Sequence, residues 1–122
     1  MSCGRYSQSA VLLAAGTAEL AVDSMSEWHQ VGFYAMASSE FVPGDQPEDE
    51  ATEQVVAAAT TGRAVVQVKA YGAASFEPLT VDGVPVELGV NQTLPPFRAR
   101  LAAIRLDVTG VDGAVSITAS GW

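Results

Sequence analysis

Alternation of apolar and polar residues with a period of two, broken every few residues by glycine, proline or Asp-Gly, most limits what this chain can become. Successive side chains of a strand point to opposite faces, so such a stretch has one apolar and one wet face only when extended. Ile104-Arg105-Leu106-Asp107-Val108 is the clearest case, and Val115-Ser116-Ile117-Thr118-Ala119 repeats it. Between them Thr109-Gly110-Val111-Asp112-Gly113 reads as a hairpin loop, with Asp112-Gly113 tolerating positive φ and Gly110 permitting a bulge. A second hairpin is expected where Asp82-Gly83 joins Leu79-Thr80-Val81 to Val84-Pro85-Val86-Glu87-Leu88. Pro85 lacks an N–H, which places that strand at an edge or turns the position to solvent.

Further strands are expected from Arg63 to Tyr71, bounded by Gly62 and Gly72, and from His29 to Met36. The latter is apolar on both faces, which suits a central strand or a partner contact. Ala10 to Ala14 and Ala18 to Val22 read as two shorter strands joined by Ala15-Gly16-Thr17. Glu53 to Ala59 suits a strand or a short helical turn; it is read as a strand turning through Thr60-Thr61-Gly62 into the next one. The total is about eight strands with no βα alternation. The expected fold class is all-β, an antiparallel β-sandwich with the jelly roll as one form of it. At 122 residues there is room for one domain, over residues 10–122, behind an N-terminal arm of residues 1–9. Phe41 to Thr52, with Pro43, Gly44, Pro47 and four acids, is expected to be an exposed loop. Leu94-Pro95-Pro96-Phe97 is biased towards an extended connection.

Charge narrows the function. Six Lys and Arg stand against fourteen Asp and Glu, a formal net charge of −8. A nucleic acid partner is disfavoured, because that affinity comes mainly from basic side chains on phosphates. The imbalance is local: Arg5 is the one basic residue before position 62, where nine acids lie, and five of each follow. Cys3 alone makes no intrachain disulfide. The apolar stretch Ala10 to Ala15 is short for a secretory signal, Glu19 and Asp23 follow it, and no run reaches the ~18 residues that span a bilayer. The expectation is a soluble chain made in the cytosol, with no membrane partner.

Catalytic motifs are absent. His29 is the one histidine and no Gly-x-Ser-x-Gly surrounds a serine, so a nucleophilic triad would have to use His29. Cys3 in a tail is poorly placed to hold a thiolate against a base. Asp45, Glu48, Asp49, Glu50 and Glu53 could offer oxygens to calcium but lack the spacing of a binding loop. No glycine-rich phosphate cradle is present. The reading is a non-enzyme without metal or cofactor. Arg98, Arg100 and Arg105 gather half of the basic residues within eight positions, either as internal ion pairs or as a docking stripe for an acidic neighbour. Trp122 would plug one end of the sandwich or anchor in a neighbouring subunit.

The ending, from Arg98-Ala-Arg-Leu-Ala-Ala-Ile-Arg-Leu-Asp-Val through Val-Ser-Ile-Thr-Ala-Ser-Gly-Trp122, resembles the closing strands of small β-structured virion proteins of tailed bacteriophages. These include head decoration, or cement, proteins and tail or fibre modules. The resemblance covers about 25 residues and implies a subunit on the outside of a capsid that bridges major capsid proteins and self-associates as a homo-oligomer. It implies a virion location after assembly in the host cytoplasm. The arm carrying Arg5 would reach across a neighbour. Arg5, Arg98, Arg100 and Trp122 are then the candidate partner-binding residues. A receptor- or carbohydrate-binding fibre module, using Trp28, Phe33 or Tyr34, is the other reading, and a small hydrolase using His29 a third.

Overall fold

A computed structural model of the chain describes residues 5–42, 44 and 50–122. The described residues form fourteen strands and no helix: β1 (Tyr6–Leu12), β2 (Gly16–Ala21), β3 (Trp28–Ala35), β4 (Ser38–Val42), β5 (Thr52–Val56), β6 (Arg63–Ala70), β7 (Glu77–Pro78), β8 (Thr80–Val81), β9 (Val84–Pro85), β10 (Glu87–Gly89), β11 (Gln92–Thr93), β12 (Phe97–Arg98), β13 (Leu101–Thr109) and β14 (Val115–Gly121). Two five-stranded antiparallel sheets carry the fold. Sheet A runs β1-β14-β3-β11 with β12 also on β3, and sheet B runs β10-β6-β13-β2 with β7 also on β6. The chain is an all-β sandwich, as its alternation requires. Strands exceed the expected eight because β4 forms where no strand was expected, and because Pro78, Pro85 and Pro95-Pro96 cannot donate to a ladder and interrupt the stretches around them.

The two best alternating stretches do not make the hairpin expected of them. β13 lies in sheet B between β6 and β2, whereas β14 lies in sheet A between β1 and β3. Residues 110–114 therefore arch between sheets. Both edges of each strand are taken by other partners, and the arch lets Ile104, Leu106 and Val108 face the same core as Val115, Ile117 and Ala119. β1 and β2 form a matching arch, pairing Tyr6↔Gly121 through Leu12↔Val115 and then Gly16↔Val108 through Ala21↔Ala103. The two ends of the chain thus make one antiparallel ribbon folded over the core. Phe33, Ile104, Leu106, Ile117 and Val31 are the largest apolar side chains fully enclosed by it.

Three other expectations change. Tyr6 to Ser9 pair with β14, so the arm stops short of position 6; Tyr6 is held by a hydrogen bond to His29, and residues 1–4, with Cys3, lie outside the described residues. β5 pairs with β4 instead of turning into β6, giving a two-stranded ribbon that belongs to neither sheet. Within the expected acidic loop, Asp45, Glu48 and Asp49 lie outside the described residues, while Glu50 and Glu53 are exposed and Glu53 stands in β5. By contrast β3 is central in sheet A, and Asp82 and Gly83, at φ 53° and 78°, turn β8 into β9 as a two-residue hairpin loop requires. Pro85 is exposed in β9, which pairs on one side only.

Candidate functional site: an uncharged sheet face ending in tryptophans and arginines

His29 is fully buried on the inner face of β3. Its Nε2 lies 2.8 Å from the Ala99 carbonyl, which can only accept, so Nε2 carries the proton and the bare Nδ1 accepts from the Tyr6 hydroxyl at 2.7 Å. Tyr6 and Phe97 flank the imidazole, with ring centroids 5.7 and 5.6 Å away. Burial pushes the His29 pKa below its usual 6.5, against the raising effect of the Ala99 bond, and burial pushes the Tyr6 phenol up. The imidazole fastens β1, β3 and the segment after β12 together. Both ring nitrogens are engaged in that clasp.

Asp112, expected in a turn with positive φ, is a clamp instead; among residues 109–113 the positive φ is at Gly110, 66°. Its carboxylate accepts from the Thr60 hydroxyl and from the Thr60 and Thr61 N–H groups at 2.6 and 2.9 Å. These bonds, the Thr60 hydroxyl foremost, hold the carboxyl well below the usual carboxylate range. A depressed folded pKa stabilises the fold at pH above about 4 and loses that contribution as pH falls further. Asp112→Asn is therefore expected to melt below wild type at pH 7, with the gap narrowing by pH 3. A gap independent of pH would assign the effect to something other than this carboxylate.

Of the arginines, Arg105 sits inside the outer surface of sheet B, with Nε donating to Gln67 Oε1 at 2.6 Å and the guanidinium 4.3 Å over the Phe76 ring. It does not join a stripe with Arg98 and Arg100. Nor does one strand run through those two: β12 ends at Arg98 in sheet A, and Arg100 accepts from the Tyr71 N–H towards sheet B. They nevertheless come together, lining one groove of about 380 Å³ opposite Met25 and Glu27. Arg98 lies 3.4 Å from Glu27, an exposed pair worth about 0–1 kcal/mol, and Arg100 stacks 5.0 Å over Tyr71.

Trp122 is not an enclosed plug. It is 42% exposed, its N–H donates to the Trp28 carbonyl, and its carbonyl accepts from Glu27 and Trp28. Trp28, 39% exposed, pairs on its other side with Arg98. Directly opposed residues project to the same face. Because His29 points inward, Trp122, Trp28 and Arg98 form a row on the outer face of sheet A, and exposed Arg5 stands at the start of β1 beside Gly121 and Trp122. Sequence reasoning named all four residues, Trp28 as an aromatic of the fibre-module reading, but not their juxtaposition with Trp28 at the centre.

Beyond the row, the outer face of sheet A carries no charge among its described residues. By register it presents Ser7, Ser9 and Val11 from β1, Ser116, Thr118 and Ser120 from β14, and Gln30, Gly32 and Tyr34 from β3. Tyr34 lies over Gly32, where a Cβ would meet its ring, and its hydroxyl bonds Thr93. Phe33 is in the core and fully buried, so it leaves the set of surface aromatics. The outer face of sheet B holds Glu19, Arg105, Asp107, Lys69 and Glu87. The legible signal was that every polar position of the alternating β14 is Ser or Thr.

The same sandwich occurs in a phage protein. The chain is similar to the crystal structure of the SPBc2 prophage-derived protein YomS, with TM-score 0.55 and 11% sequence identity over 99% of this chain and 96% of that one. At that identity the likeness is one of fold. No family model and no curated protein sequence matches the chain.

Proposed function

We propose that this chain is a structural protein of a tailed-phage virion, and that it decorates or cements the head by binding major capsid protein and like subunits. The observation that carries the reading is that the outer face of sheet A, beyond the row of Trp122, Trp28 and Arg98, carries no charge among its described residues in a chain of net charge −8. Interface centres are depleted in charge and enriched in aromatic residues, since burying unpaired charge is costly. The lack of charge beyond the row and the exposed Trp28 and Trp122 at its edge meet that description.

Connectivity supports it. Taking β1, β2, β3, β6, β10, β11, β13 and β14 as eight principal strands, sheet A has the order first-eighth-third-sixth and sheet B second-seventh-fourth-fifth. That is the order of a jelly roll, an architecture used by viral capsid and lectin domains. The end-to-end likeness to a prophage-derived protein agrees with a phage origin. On this reading the chain acts without catalysis, cofactor, nucleic acid or membrane, and resides in the virion.

The test is sedimentation of the purified chain with capsid shells, followed by heating. Bound chain and a raised shell melting temperature are expected. Thr118→Arg, at the centre of the face between Ser9 and Gly32, is expected to weaken binding roughly tenfold or more, as charge at an interface centre does. Absence of both binding and protection overturns the reading. A carbohydrate-binding fibre module is favoured by one observation, the adjacent exposed Trp28 and Trp122, which could stack on sugar rings. Glycan-array binding lost in Trp28→Ala, without shell binding, would decide for it.

A further inference from the structure

The molecule is electrically polar from end to end. Arg5, Arg98 and Arg100, half of its basic residues, gather at the Trp28 end of sheet A, against Asp23 and Glu27. At the opposite end, three positions beyond Ala35, the β4–β5 ribbon begins. The eight residues of β3 separate the two ends by roughly 25 Å at ~3.3 Å per residue. Positions 38–56 hold Glu40, Asp45, Glu48, Asp49, Glu50 and Glu53 and no Lys or Arg. Within β5, Val55 is 72% exposed. An isolated two-stranded ribbon is marginally stable in water, so an apolar side chain displayed on one is better explained by a surface that receives it.

We infer that the β4–β5 ribbon of one copy docks on the arginine-flanked end of the next copy. The receiving surface has the required chemistry. The groove between Arg98, Arg100 and Met25 adjoins a second one, of about 480 Å³, with apolar walls from Leu79, Val81, Leu94 and Phe97; Arg98 and Ala99 line both. Met25, 59% exposed, is an apolar anchor in the groove, and Arg98, which lines it, pairs with the exposed Trp28. Charge complementarity selects the ribbon: it is the acidic projection, and the Arg98 end is the basic one. Since ribbon and groove occupy different ends, the contact is head-to-tail and builds a ring if the rotation closes, or a filament if it does not.

This inference names the contact behind the like-subunit part of the proposed function and rests on that part, while capsid binding is read separately by sedimentation with shells. The experiment is sedimentation velocity on wild type, Arg98→Glu/Arg100→Glu and Glu40→Lys/Glu50→Lys/Glu53→Lys, alone and mixed, with melting temperatures checking that each folds. Wild type is expected to associate at low salt and to weaken at high salt. Arg98→Glu/Arg100→Glu alone presents acids at both ends, and Glu40→Lys/Glu50→Lys/Glu53→Lys sets three lysines against the three remaining acids and leaves the ribbon no net charge to draw to the arginines; the dissociation constant of each is expected to rise roughly tenfold or more. Mixing them restores one wild-type contact, the acidic ribbon of the first variant on the arginine groove of the second, and with it a heterodimer. A monomeric wild type at millimolar concentration overturns the inference, as does a folded variant that associates like wild type or a mixture that stays monomeric.

Discussion

His29→Leu is expected to lower stability by about 2–4 kcal/mol at pH 8, because two partners lose their bonds and each unsatisfied group costs about 1–3 kcal/mol. The Tyr6 hydroxyl loses its acceptor and the Ala99 carbonyl its donor. Both groups are partly enclosed, which keeps the sum below its upper bound. The variant also separates His29 from every other cause of pH dependence. The folded imidazole has a pKa below the usual 6.5, so the unfolded chain binds the extra proton first as pH falls. Its contribution is complete above about pH 6.5 and is lost below it. Wild type should therefore lose stability between pH 8 and pH 5, a window in which ordinary carboxylates do not titrate, and His29→Leu should be flat there. Urea denaturation at the two pH values reads both effects. Parallel wild-type and variant curves would remove the clasp from the account.

What the sequence made legible follows from which physics is local. Period-two alternation is a property of a single segment, and it placed β3, β6, β13 and β14 within a few residues. The Asp82-Gly83 turn is equally local, since two adjacent residues with positive φ suffice to build it. Partner choice is not local. Val115 to Ala119 could have folded back on Ile104 to Val108 through a six-residue loop, but β1, β2, β3 and β6 compete for those edges and win them from far along the chain. The same competition removed β5 from β6.

The site divides along the same line. Arg98, Arg100 and Trp122 stood out by residue type and position, yet their meeting depends on β12 pairing with Trp28 while β14 delivers Trp122 to its other side. No spacing in the sequence encodes that. His29 looked like a candidate base because it is the one imidazole, and its role is set by Tyr6 and Ala99, 23 and 70 positions away. The uncharged face was readable in principle. It required asking which wet positions lack charge instead of where charges lie.

Gly113→Ala is expected to cost about 2–4 kcal/mol, in the range of strongly destabilising single substitutions, although it adds one methyl group. A Cβ there would stand 2.5 Å from the Ala57 carbonyl oxygen and 2.9 Å from both Ala58 C and Ala59 N. All three are backbone atoms, so no side-chain rotation relieves the contact. Moving that strand of chain breaks Ala114 N–H to Ala57 O at 2.8 Å and Ala59 N–H to Ala114 O at 3.0 Å, and pulls Thr60 and Thr61 from the Asp112 carboxylate. Gly16→Ala is the matched control: nothing lies within 4 Å of its Cβ, and its φ is not positive. It should change stability by less than about 0.5 kcal/mol, as open surface substitutions do. The contrast tests whether residues 57–61, outside both sheets, are fixed by the arch between β13 and β14. Equal melting temperatures for the two variants would mean that this segment rests elsewhere, and that the ribbon preceding it is not anchored where the self-association requires.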